Sequence, residues 1–251
     1  MTRTGSQGTR VALPVGALVV GVAAWWAATA ALSIPPYLLP SPVAVATRLL
    51  ASPELYARHA LATLVKVLAG GGAGIAAGFC LGVAVAHVEP FRRAVFPYLV
   101  ALRVLPKVAI APVLLLYLGI GFETAVLFVA LVAFFPMAVS TAAGFDRVPP
   151  RQRDLLRSVD AGRFRALLAV DLRFALPDVV AGAKQAVVLA VVGAVVAEWV
   201  VATTGLGYLV LLGSETVQVA AMLAAVVVLV CLGVGLYGAV ALVGRRILWT
   251  Q

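Results

Sequence analysis

The sequence predicts an all-α membrane protein with about six transmembrane helices. Of its 251 residues, 63% are hydrophobic and 12% charged, and the mean hydropathy is +1.10, where soluble domains carry about 25% charged residues. Apolar runs lie near 11–33, 60–87, 97–119, 124–144, 177–200 and 217–243, each near the roughly 20 helical residues that cross a bilayer core about 30 Å thick. Basic residues cluster between these runs, as short cytoplasmic connections require.

The first run follows Arg3 and Arg10. Such a start resembles a signal peptide. Its apolar stretch is longer than the usual secretory core, however, and no small-residue cleavage site precedes Pro35 and Pro36, so an anchor helix is expected. The proline-rich segment 34–58 places Leu49, Leu50 and Leu55 beside Arg48 and Arg58, the pattern of a short amphipathic helix lying in the membrane interface.

In the second run, Gly70, Gly74, Gly78 and Gly82 recur at every fourth position, a smooth ridge along which another helix can pack closely. His59 and His87 fall at opposite ends of this run, too far apart to share a metal. Cys80 and Cys231 both lie in apolar runs and read as small buried hydrophobes, with neither a disulfide framework nor a metal site indicated.

The third run is interrupted by Arg103, Pro106, Lys107 and Pro112. Arg103 and Lys107 flank Pro106 at its inner end, either as interfacial anchors or as an inner gate in a helix broken by proline. The fifth run contains Lys184 and Glu198, fourteen residues apart, or about 21 Å of helical rise, which forbids direct pairing. Intramembrane charges are costly and mark functional candidates; for Lys184, snorkelling to the interface is the plain alternative. Residues 203–218, punctuated by Gly205, Gly207 and Gly213, are too short for two crossings and are expected to dip partway in and return.

Seven arginines (147, 151, 153, 157, 163, 165 and 173) occupy the connection between the fourth and fifth runs. That places it in the cytoplasm, and counting outward puts both termini there too. Arg92, Arg93, Arg245 and Arg246 fall on the same side; Arg48 and Arg58, accompanied by Glu54, fall outside. Within the connection, Leu155, Leu156 and Val159 form one short apolar stripe. Phe164, Leu167, Leu168 and Leu172 form a second, with Gly162 between as a C-terminal cap and Pro177 at the first turn of the fifth span. Anionic lipid would attract such a loop, but two stripes and a glycine break fit a helix docked in a groove of a soluble partner better.

LPSPVAVATRLLAS, ALRVLPKVAIAPVLLLYLGIG, VALVAFFPMAVSTAAGF, VVAEWVVATTGLGYLV and GRRILW, in this order and spacing, resemble the membrane subunits of bacterial ABC importers of the type I fold, in particular the nitrate, sulfonate and taurine permease group. The resemblance runs from about residue 38 to 249. That group carries a cytoplasmic EAA loop with a glycine after three intervening residues, then a leucine-proline pair opening the next span. Alignment on Leu176-Pro177 sets Asp154-Leu155-Leu156 over the triplet and Asp160 over the glycine, with Gly162 two places later. The acid is thus shortened, both alanines are enlarged to leucine, and the glycine is displaced.

The resemblance implies that this loop couples to a separate ATPase, with Asp154, Leu155, Leu156, Arg157, Asp160, Gly162 and Arg163 at the contact, and that Glu198 stands near an outer gate. It implies two ATPase subunits carrying ATP and magnesium, an extracytoplasmic solute-binding protein and a second copy of the chain, in a bacterial inner membrane. No cofactor, catalytic residue or nucleic-acid partner is expected of this chain. No GxxxxGK[ST] phosphate loop occurs in it. The implied organisation is a basic tail (1–10), an anchor helix with an outer amphipathic segment (11–58), a transmembrane core (59–243) with the coupling loop at 146–176, and a second tail (244–251). The cargo would be a small organic anion of sulfonate, taurine or nitrate type, or a small heterocycle such as a vitamin precursor. An ion-coupled secondary transporter and a non-transporting scaffold are the alternatives.

Overall fold

The computed structural model describes residues 7–149 and 167–249, together with 151, 152, 162 and 165. Its elements among these are helices, and five are long and apolar enough to cross a membrane, or six if one bent pair is a single span.

Gln7–Ala31 (α1) lies at the periphery, with only 6% of its apolar window buried. Pro42–Ala51 (α2) starts where local chemistry dictates: Ser41 caps it, accepting a hydrogen bond from the Ala44 amide at 3.2 Å, and Pro42 occupies the first turn. The expected interfacial helix is shorter than its sequence segment, because Ser52 and Pro53 divide it; Leu55 and Arg58 belong instead to Pro53–Lys66 (α3). Val45 of α2 and Tyr56 of α3 are buried with Ala224 and Ala225, while Leu50 is exposed.

A π-turn, Val67–Gly71, joins α3 to Gly72–His87 (α4). The glycine ridge faces the central helix of the bundle, Phe122–Asp146 (α7). A Cβ on Gly70 would lie 2.5 Å from the Val126 carbonyl oxygen, and one on Gly78 2.5 Å from that of Phe134. Gly74 abuts the Ala130 backbone and Gly82 the Thr141 side chain in the same way. On the other side of α7 runs Leu172–Val201 (α8), whose Ala186, Ala190, Ala194 and Ala197 form a buried stripe of small residues. Close approach of backbones replaces the hydrophobic effect as the source of helix association in lipid, and these stripes supply it.

The third span differs most from its expectation. It consists of Glu89–Val104 (α5), a 3₁₀ turn Lys107–Ile110, and Ala111–Leu118 (α6), bent by 96°. Pro106 cannot donate to the helix and forces Leu105 into the extended region, at ψ 128. Leu99 of α5 packs with Phe135, Ala138 and Ala142, and Ala111 of α6 with Ala125, Phe128 and Val132. The two arms therefore cover opposite halves of α7.

Two expectations for the fifth span also change. From Leu167 the chain enters a π-turn, Leu167–Asp171, that runs directly into α8, so Leu167 and Leu172 belong to the start of the span and not to a separate surface helix. Pro177 consequently lies inside α8, where only the Arg173 carbonyl loses its donor. After α8, Leu206–Glu215 (α9) is a short helix folded against Val219–Trp249 (α10), with Gly213 seated on Met222.

Candidate functional site: a buried clasp, a mid-height elbow and a loop root

At the end of the bundle opposite the basic loop, α3 places His59, Thr63 and Lys66 on one face, and all three are buried at 0–5% exposure. Glu198, at 0% exposure, meets them from α8. Its Oε1 accepts hydrogen bonds from Thr63 Oγ1 at 2.8 Å and Lys66 Nζ at 2.9 Å, and its Oε2 accepts one from the Gly207 amide at 2.8 Å. Lys66 also donates to the Thr204 carbonyl. Thr63 Oγ1 accepts from the Leu206 amide at 2.8 Å, and His59 Nδ1 from the Gly205 amide at 3.0 Å.

Segment 204–207 is therefore stitched to α3 and α8 through a charge pair that satisfies its own hydrogen bonds, the only condition under which burying two ions is tolerable. The carboxylate occupies the space that a Cβ on Gly205 would need, and Gly205 holds φ +131. Gly205→Ala is expected to destabilise the fold by at least about 1–3 kcal/mol from backbone strain alone, read as a lower unfolding temperature in detergent.

Lys66 was not among the residues that the sequence singled out. The rule that drew attention to Lys184 and Glu198, a charge within a span, applies equally to Lys66. Its spacing from His59 and Thr63 (i, i+4, i+7) was the further sign that one helix face carries a polar cluster.

At mid-height, Lys107 is half-buried with its ammonium 5.4 Å from the centroid of the Phe135 ring, within cation–π range. Phe135 is eleven residues before Asp146, the last residue of α7, or about 16 Å along the axis. The expected end position of Pro106 and Lys107 is thus corrected: the break lies near the middle of the bundle, because α5 alone covers the half of α7 that ends at Asp146. Val104 is 85% exposed and Leu105 40% exposed at this elbow. For Arg103 the backbone belongs to α5 and the side chain lies outside the described residues. Lys184 is half-buried on α8, twelve residues past its start.

Where α7 and α8 meet the basic loop, two ion pairs and a His–Asp contact bind its root. Arg92 of α5 makes a bidentate pair with Asp146, at 2.6 and 2.8 Å. His87 Nε2 lies 3.3 Å from Asp171 Oδ2, and Arg147 lies 3.3 Å from Asp178. Of the expected ATPase contact, Asp154, Leu155, Leu156, Arg157, Asp160 and Arg163 lie outside the described residues, and Gly162 is exposed with open space around its Cα. Among the described residues no group of three or more His, Cys, Asp or Glu is placed to hold a metal.

This bundle, with its broken third span and the short helix α9, has the fold of type I ABC importer transmembrane domains. It superposes on a solved structure titled as an inward-facing conformation of the MetNI methionine ABC transporter, with TM-score 0.68 and 21% identity over 78% of this chain and 98% of that one. The chain belongs to the family described as the binding-protein-dependent transport system inner membrane component, whose model matches residues 74–249. It is similar to a probable ABC transporter permease protein of Haemophilus influenzae (34% identity, 93% of this chain and 96% of the relative). It is also similar to the formylaminopyrimidine transport permease protein ThiX of Halalkalibacterium halodurans (34%, 73% and 74%) and the taurine transport system permease protein TauC of Escherichia coli (29%, 88% and 82%). The chain is a multi-pass membrane protein of the ABC permease class, as the composition and motifs anticipated.

Proposed function

We propose that this chain is the translocation subunit of an ATP-driven importer, working as a pair of identical copies with two ATPase subunits and an extracytoplasmic binding protein. The observation that carries the reading is the 96° elbow between α5 and α6 at mid-height of α7. Backbone that leaves the helical ladder inside a membrane is tolerated only where protein or a water-filled path covers it. The exposed face at Val104, Leu105 and Pro106 fits a path formed where two copies meet, with Arg103, Lys107 and Lys184 as candidate lining groups.

In this reading Asp154, Leu155, Leu156, Arg157, Asp160, Gly162 and Arg163 seat the loop in a cleft of the ATPase. ATP and magnesium are held there, and this chain contributes no catalytic group. ATP-driven closure of two ATPases draws two loops together and switches the path between inward-open and outward-open states. Both termini are cytoplasmic, on the side of the arginine-rich loop, in a bacterial inner membrane. The cargo class is a small organic anion or a small heterocycle; relatives named for taurine and formylaminopyrimidine transport point to both. An ion-coupled carrier needs an exchangeable intramembrane acid, whereas both carboxylate oxygens of Glu198 are already engaged by three donors.

The test is co-purification in mild detergent. The wild-type chain is expected to retain a Walker-type ATPase, and a variant carrying Leu155→Asp and Leu156→Asp is expected to remain inserted, release it and lose uptake. Undiminished uptake by that variant, or no retained ATPase with the wild type after cross-linking, overturns the proposal.

A further inference from the structure

The loop root poses a mechanical question that the proposed coupling leaves open: how displacement of a cytoplasmic loop between α7 and α8 reaches an elbow that belongs to neither helix. Four helices end at this root. Asp146 is the last residue of α7, Arg147 follows it, Asp171 closes the π-turn before α8, and His87 is the last residue of α4. His87 and Asp171 join α4 to α8, and Arg147 and Asp178 hold the start of the loop to α8. Arg92 ties α5 to this group through two parallel hydrogen bonds to Asp146.

α5 itself is a helix of sixteen residues, about 24 Å long, fixed by Arg92 in its first turn and ending at the Leu105–Pro106 elbow; Pro97 within it removes the hydrogen bond to the Arg93 carbonyl, and the helix continues on both sides. Along its length it meets α7 and α4 through Leu99, Val95 and Phe96, apolar contacts that permit sliding. A bidentate guanidinium–carboxylate pair, by contrast, fixes both distance and orientation. α4 cannot take the same part, because its glycines seat it on the α7 backbone along most of its length.

We infer that the Arg92–Asp146 pair is the attachment by which movement of the loop root is passed along α5 to the elbow, making Arg92 and Asp146 positioning residues for coupling. This rests on the proposed function, since it presumes that an ATPase moves the loop. Displacement of Asp146 toward a partner carries the first turn of α5 with it. The helix then levers about its apolar contacts, and the hinge at Leu105–Pro106 absorbs the change, as hinge residues at element ends do.

The test reports on the elbow while counting ATP turnover separately. A nitroxide is placed by Val104→Cys, with Cys80→Ser and Cys231→Ser removing the native thiols, in the whole transporter reconstituted with its ATPase. Spectra are taken without nucleotide and after trapping with ATP, magnesium and vanadate. Wild type is expected to show a second spectral component on trapping. In Arg92→Gln, or in Asp146→Asn, ATP hydrolysis should persist while that component falls about tenfold, within the usual range for coupling between sites. The exchanged pair, Arg92→Asp with Asp146→Arg, should recover it to within about threefold, the signature of a direct interaction.

A trapping response in the single variants equal to wild type overturns the inference, as does failure of the exchanged pair to recover it. If the single variants do not assemble, Arg92→Lys, which keeps the charge and loses the fork, should assemble and show an intermediate response; a full response there also overturns it. Absence of ATP hydrolysis in the wild-type complex would remove the proposed function itself, a result distinct from hydrolysis without elbow movement.

Discussion

Glu198→Ala is expected to lower stability by about 3–5 kcal/mol, the cost of leaving one member of a buried ion pair without its partner. Lys66, at 4% exposure, would keep the Thr204 carbonyl and lose its counter-charge, while the Gly207 amide and Thr63 hydroxyl would lose their acceptor. Thermal unfolding in detergent measures the loss. The double replacement Lys66→Met with Glu198→Leu is expected to regain part of it, because apolar groups of similar volume remove the desolvation penalty of both ions. It should not regain transport, since segment 204–207 would still lack the acceptor that holds Gly207. An Ala variant as stable as wild type would show that the pair does not hold this end of the bundle together.

An effect at least as large is expected from Gly78→Leu. The Cβ alone would sit 2.5 Å from the Phe134 carbonyl oxygen and 2.9 Å from the Met137 Cβ, and both belong to α7, which is itself confined by α8. No rotamer of the incoming side chain relieves a collision of its first atom with backbone. α4 and α7 must therefore separate, forfeiting contact along a seam that also includes Gly70, Gly74 and Gly82. The expectation is loss of a folded species rather than a shifted transition, seen as aggregation on size-exclusion chromatography. Gly72→Ala, on the same helix but with open space at its Cβ, should behave as wild type or better, because alanine lowers the entropy of the unfolded chain.

How far these features were legible in the sequence depends on whether their cause is local. Ser41-Pro42 marks the start of α2 through groups that are neighbours in the chain. The ridge at 70, 74, 78 and 82 announces a close partner through its own spacing. Pro106 marks a break, but no sequence period encodes the 96° turn: that angle is set by where Leu99 and Ala111 find α7. The depth of Lys107 was misplaced for the same reason. Glu198 stands out as an intramembrane acid, whereas its partner lies 132 positions earlier, and no local spacing links the two. His87 and Asp171, 84 positions apart, are likewise joined only once α4 and α8 are side by side.

The π-turn at Val67–Gly71 ties the clasp to the ridge in terms of reading frame along the helix. A π-turn carries one residue more than a regular turn, so the helix before it is rotated by about 100° relative to an uninterrupted one. His59, Thr63 and Lys66 point at α8 and segment 204–207, while the glycines after the turn point at α7. Removing Val67, Leu68 or Ala69 would tidy the helix and swing the clasp off Glu198, with no residue of the clasp or the ridge altered. One extra residue in this turn thereby sets the phase between the clasp and the ridge, and a single-codon deletion at 67–69 is a more damaging lesion than most substitutions there.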